Sequence, residues 1–132
     1  VVGFEPEPGM VIDTLARAAI LFDRLGRPPA LRLTVDIGHL ECMGERPCGE
    51  HLLPWHGRIA NAHVDDMVAC RHEHLPLGVG DVDFAAAIAA LAAAGYDGGL
   101  HVELPRQAHR WLDTARDSAR YLARLILPGA SS

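Results

Sequence analysis

The segment Leu31-Arg32-Leu33-Thr34-Val35-Asp36-Ile37-Gly38-His39 alternates in polarity along most of its length. In an extended chain Leu33, Val35 and Ile37 fall on one face, and Thr34, Asp36 and Gly38 on the other. The pattern predicts a β-strand over Leu31–Ile37 with a carboxylate near its C-terminal end, then a loop over Gly38–Arg46. His39 stands three residues beyond Asp36 in a glycine-containing turn, where it can fold back beside the carboxylate. The competing reading of Asp36 is a helix-cap or turn aspartate.

Outward from this segment the same grammar repeats. Val1–Phe4 is apolar and β-prone, and Glu5-Pro6-Glu7-Pro8-Gly9 stops it. Asp13 or Thr14 can cap a helix to Leu25, whose apolar residues Leu15, Ala18, Ala19, Phe22 and Leu25 recur at helical spacing. Gly26 ends that helix and Pro28-Pro29 bars its continuation. Past Arg46, Cys48–His56 reads as a short helix interrupted by Pro54, Arg58–Val64 as a third strand, and Asp65–Asp81 as a long loop. Asp83 caps an Ala-rich helix through Ala94, closed by Gly95. Gly99–Leu104 is a fourth strand, and an amphipathic helix runs from Gln107 to Leu127. The order β-α-β-α-β-α-β-α implies parallel strands joined by right-handed crossovers. Four such units make a half-barrel or a small doubly wound sheet. No Gly-rich phosphate motif follows the first strand, which weighs against nucleotide binding.

The chain has 132 residues, enough for one core, with 49% apolar and 22% charged residues as in soluble globular proteins. A net charge of -5 and no basic stripe disfavour nucleic acid as a partner. Three cysteines without CxxC spacing suit a reducing, cytoplasmic setting. No apolar run reaches the roughly 18 residues of a membrane span. The chain opens on a strand already under way, with no initiator Met, which reads as a fragment or a truncated frame. A half-barrel also has two strand edges, which a homodimer can cover.

Each strand ends in groups able to bind a metal. They are Glu5 and Glu7, Asp36 and His39, His63 and Asp65, and Glu103. In a parallel sheet with helical crossovers these ends lie on one side. On the third strand Asn61, His63 and Asp65 share a face, leaving Asp66 on the other for loop capping; the alternative for His63 is a core histidine. Arg71-His72-Glu73-His74, if extended, points His72 and His74 the same way, against the alternative of a solvated loop. Glu103 competes with a surface salt bridge to Arg106, and His101 reads as structural. His51, His56 and His109 read as surface residues, and Trp55 and Trp111 as packing residues. Oxygen and nitrogen donors without thiolates suit Mn, Zn, Mg, Co or Fe. Such an ion can polarise a carbonyl or generate hydroxide. Glu5 and Glu103 form a base-and-acid pair for moving a proton.

The ordered set Glu5, Asp36-Ile37-Gly38-His39, His63-Val64-Asp65-Asp66, His74-Leu75-Pro76-Leu77-Gly78-Val79-Gly80-Asp81-Val82-Asp83-Phe84 and Val102-Glu103 resembles the xylose isomerase-like TIM-barrel superfamily. That superfamily includes sugar phosphate isomerases/epimerases and metal-dependent AP endonucleases. The resemblance implies a partial (β/α)8 TIM barrel, strands five to eight, over residues 1–128, with a flexible tail at 129–132. It implies a divalent-metal site drawn from Glu5, Asp36, His39, His63, His72, His74 and Glu103, with Glu5 and Glu103 catalytic. The implied activity is a metal-dependent sugar or sugar-phosphate isomerase/epimerase acting on a small carbohydrate-like substrate. The alternatives are an AP-endonuclease-like hydrolase and a non-catalytic half-barrel. Two positions depart from the family pattern: His72 stands where the endonuclease branch has Asp, and Gly78-Val79-Gly80 where the family has Gly-Glu-Gly.

Overall fold

The computed structural model of the chain describes residues 1–127. The expected tail at 129–132 lies outside them. Four parallel strands, β1 (Val2–Phe4), β2 (Leu31–Asp36), β3 (Ile59–Val64) and β6 (Leu100–Val102), form one sheet in the order β1-β2-β3-β6. Sequential order with every strand parallel is the layout of consecutive βα units, and it makes the chain a partial barrel. The helices are α1 (Leu15–Arg24), α2 (Ile37–Cys42), α3 (Cys48–Leu52), α4 (Phe84–Ala93) and α5 (Trp111–Ile126).

Local chemistry sets the boundaries. Thr14 accepts from the Arg17 N–H and Asp83 from the Ala86 N–H, so each caps the helix it precedes. Leu15, Ala18 and Phe22 of α1 are buried in one cluster with Leu33 and Val35 of β2 and Ala62 and Val64 of β3. Phe22 packs edge-on against Trp55, with ring centroids 4.9 Å apart. From α4, Phe84, Ala87, Ala90 and Leu91 complete the core. Of the two tryptophans expected to pack, only Trp55 does; Trp111 is exposed.

Two expected loops carry regular structure. Gly38–Arg46 begins with α2, because Asp36 Oδ1 accepts the His39 N–H at 3.0 Å and starts a helical turn at the end of β2. The segment after β3 contains an antiparallel hairpin, β4 (Asp66–Val68) with β5 (Arg71–Leu75). Short strands with charged residues gave no clear alternation there. Asp66, as expected, ties down the loop beyond the hairpin: its carboxylate accepts the Gly78 N–H at 2.8 Å and the Val82 N–H at 3.1 Å. Among the described residues no helix is long and apolar enough to cross a membrane.

Candidate functional site

Register brings the first group together. Asp36 pairs with His63 across β2 and β3, and His63 with His101 across β3 and β6. Glu5 and Glu103 each follow the last residue of a strand, β1 and β6, on the same side. Their side chains meet at one ring: His63 Nδ1 lies 3.0 Å from Glu5 Oε1 and 2.7 Å from Glu103 Oε2. One ligand atom each from Glu5, Asp36, His63 and Glu103 lies within 4.8 Å of all the others. The alternative for Glu103, a salt bridge to Arg106, does not form; Arg106 pairs with Glu73 at 3.0 Å. His101 is exposed rather than structural.

Asp36 makes the helix cap of its competing reading with only one of its oxygens. The other, Oδ2, is buried with no hydrogen-bond donor. A buried carboxylate oxygen without a donor or cation is costly. This donor set of three carboxylates and an imidazole, with one oxygen unpartnered, fits a divalent cation by its chemistry. Asn61 touches His63 Nε2 at 2.9 Å. The Asn61 amide N–H donates to Nε2, which leaves the ring proton on Nδ1, where it faces the Glu5 and Glu103 carboxylates. Burial lifts the Glu5 carboxyl above the usual range, and His63 beside it offsets only part of that rise.

The hairpin delivers a second group. His72 and His74 alternate along β5 and do face the same way, toward His39 at the start of α2; His39, His72 and His74 offer nitrogens within 4.8 Å of one another. His72 Nε2 is 3.2 Å from His39 Nε2 and 3.4 Å from Glu7 Oε1. Burial, followed by the nearby His39, holds the His72 imidazole below its ordinary value. His39 Nδ1 lies 3.1 Å from the Pro6 carbonyl oxygen.

Asp65 is where the sequence was least informative. It stands at a strand end, yet its fully buried carboxylate lies between the two groups, beside Asp36 and in contact with His74 Nδ1. Burial, then the Asp36 charge, pushes its carboxyl up to about 9. Gly38 makes the space: a Cβ there would meet Asp65 Oδ1 at 1.7 Å. The usable signal was that glycine directly after Asp36-Ile37. Of the remaining histidines, His56 and His109 are exposed, whereas His51 pairs with the buried Glu45 at 3.6 Å.

The family model described as xylose isomerase-like TIM barrel matches residues 1–125. No curated protein matches the chain by sequence. Among solved structures, the IolI protein with a bound zinc atom superposes with a TM-score of 0.77 at 20% identity, covering 98% of this chain and 50% of that one. A D-allulose 3-epimerase from Methylomonas sp., solved with D-allulose, gives 0.71 at 20% identity, over 92% and 47%. The 3-keto-D-glucoside 4-epimerase YcjR from E. coli gives 0.72 at 25% identity, over 95% and 45%. The chain thus spans about half the length of these structures.

Proposed function

The chain belongs to the xylose isomerase-like TIM-barrel family, and from that premise we propose that it carries the metal and proton-transfer half of a sugar isomerase or epimerase site. The observation that carries this reading is the meeting of Glu5, Asp36, His63 and Glu103 at one point, beside the unpartnered Asp36 Oδ2. These residues would hold a divalent ion, which when bound supplies Lewis-acid polarisation of a substrate carbonyl. Glu5, whose carboxyl burial raises above the ordinary range, is suited to take a proton from the carbon beside that carbonyl. Glu103, which meets the same His63 nitrogen, is suited to return one. His63, itself held by Asn61, orients the two carboxylates.

The substrate class in this reading is a small keto sugar or hydroxy-carbonyl compound, in line with the sugars for which two of the neighbours are named. The free thiols Cys42, Cys48 and Cys70 favour a cytoplasmic setting. The end strands β1 and β6 make a homodimer part of the reading, which light scattering reads directly.

The test is proton exchange. The full chain, loaded with Mn²⁺, Co²⁺, Zn²⁺ or Mg²⁺, is incubated in D₂O with a panel of ketohexoses and ketopentoses, and the proton beside the carbonyl is followed by NMR. Exchange that disappears in Glu5→Gln is the expected result. No exchange with any sugar by the metal-loaded chain overturns the reading. A hydrolase of the endonuclease type is the second reading, favoured by the added trio His39, His72 and His74. Cleavage of abasic DNA by the same loaded chain would establish it instead.

A further inference from the structure

We propose that the cleft between α2 and the start of α4 binds a small organic ammonium compound, with Glu41 as the charge partner of its head. The cleft lies behind the strand-end mouth, and its ligand is independent of the proposed function.

Helix α2 presents two faces. Ile37, Leu40 and Glu41 stand three and four residues apart and share one of them. His39 stands on the other, where it meets His72 at the mouth. The Glu41 face looks toward the first turns of α4, and between them, walled also by Val82, Ala86 and Ala87, lies a cavity of about 590 Å³. Its size and its mainly apolar walls are those of a small-molecule site. None of its lining residues belongs to the strand-end groups. Helices α2 and α4 follow the inner strands β2 and β3, so the cavity sits away from the sheet edges β1 and β6.

Two observations set the charge of the ligand. Glu41 is 6% exposed, and its Oε1 is buried with no hydrogen-bond donor among the described residues. Arg46 Nη1 lies 3.1 Å from that oxygen without hydrogen-bond alignment, and the Arg46 side chain is 53% exposed. A carboxylate buried this deeply is costly until a donor reaches it. The second observation is the balance of charge around the cavity. Glu41, Glu45, Asp81 and Asp83 line it, against the single guanidinium of Arg46. Glu45 is occupied by the Leu15 N–H and Asp83 by the cap of α4, whereas Asp81 is exposed at the rim. The summed field favours a cation. An ammonium head supplies both the positive charge and the missing N–H donor at Glu41, and a hydrocarbon body suits the walls of Ile37, Leu40 and Val82. A bare metal ion fits poorly, since among the described residues Glu41 belongs to no group of converging ligand atoms. A sugar fits poorly too, because apolar walls leave its hydroxyls without partners.

The experiment titrates the full chain with benzylamine and 4-phenylbutylamine, and in parallel with uncharged benzyl alcohol and anionic benzoate, followed by ¹H–¹⁵N NMR. The expected result is saturable amide shifts at residues 40–46 and 81–87 with the amines, and binding of the alcohol and the benzoate weaker by about 10- to 100-fold, the range of a hydrogen bond to a charged group. Glu41→Gln keeps the shape and should weaken the amines by the same factor. Because Glu41 is buried, a second variant leaves it in place: Ala86→Phe, at an exposed position on the cavity wall, fills the space and should abolish the shifts. Benzyl alcohol bound as tightly as benzylamine would overturn the charge assignment and with it the proposal. Amine shifts confined to the strand-end mouth, or unchanged in either variant, overturn it as well. So does the absence of any saturable shift, which would leave Arg46 as the sole partner of Glu41.

Discussion

Glu103 Oε2 lies 2.7 Å from His63 Nδ1, although the two residues sit on neighbouring strands 40 positions apart. Parallel pairing of β3 and β6 sets His101 opposite His63, so Glu103, two residues further on, lies on the same side one step beyond, and Glu5 approaches the ring from β1 at 3.0 Å. One imidazole nitrogen thus gathers two carboxylates that differ in surroundings, Glu103 being the more exposed. Glu103→Gln keeps the shape and removes the charge. We expect it to slow proton exchange at a keto sugar by about 10²- to 10⁴-fold, with folding unchanged by circular dichroism. Exchange at the unmodified rate would remove Glu103 from the chemistry.

Asp66 has a different task from its neighbour Asp65. Its buried carboxylate accepts two backbone N–H groups, from Gly78 and Val82, and so pins the loop that leads into α4. Asp66→Ala leaves both donors without a partner. The expected cost is about 2 to 4 kcal/mol in denaturant unfolding. Hydrogen exchange at the Gly78 and Val82 amides should accelerate selectively, and uniform exchange across the chain would contradict the pinning role.

Gly38 is required by proximity. A Cβ at this position would lie 1.7 Å from Asp65 Oδ1 and 3.0 Å from Met67 Cγ. Both neighbours are fully buried and have nowhere to go. Gly38→Ala should destabilise by about 1 to 3 kcal/mol, the usual range for overpacking, despite the better helix propensity of alanine in α2. A stabilised variant would mean that Asp65 has room to move.

Glu45 gives a pH dependence away from the mouth. Its buried carboxylate accepts the Leu15 N–H at 3.0 Å, at the start of α1. Burial raises its carboxyl above the ordinary range, and the Leu15 N–H and His51 offset only part of this. A folded-state value above the unfolded one means that the folded chain holds the proton more tightly. That contribution is present at low pH and is lost as pH rises through the raised value. Glu45→Gln does not titrate. The melting temperature of the unmodified chain relative to this variant should therefore fall from about pH 4 upward. A difference that grows with pH would reverse the assigned direction.

The strands and their order were legible because Leu33, Val35, Ala62 and Val64 alternate with polar residues and because Gly26, Gly95 and the prolines punctuate the chain. Strand-end position alone gathered Glu5, Asp36, His63 and Glu103, since parallel pairing leaves such residues no other place to go. Less was legible where tertiary contact overrides local pattern. The β4–β5 hairpin has strands too short and too charged for a period-two signal. Helix α2 follows from a cap that Asp36 makes with one oxygen while the other serves the site. Asp65 and His101 lie within two residues of the residues that gather at the mouth, and burial depends on what packs above a strand end, which alternation does not encode. Arg106 chose Glu73 over Glu103 because the hairpin, absent from the expected layout, brought Glu73 within 3.0 Å.

The central claim is that the strand-end carboxylates and His63 hold a divalent ion, and metal content per chain tests it most directly. The full chain and the double variant Asp36→Asn, Glu103→Gln are each equilibrated with Mn²⁺, freed of unbound ion, and measured by mass spectrometry of the metal. We expect about one Mn²⁺ per unmodified chain, bound at the one carboxylate-rich position, and almost none in the double variant. Equal metal content in the two proteins would contradict the claim.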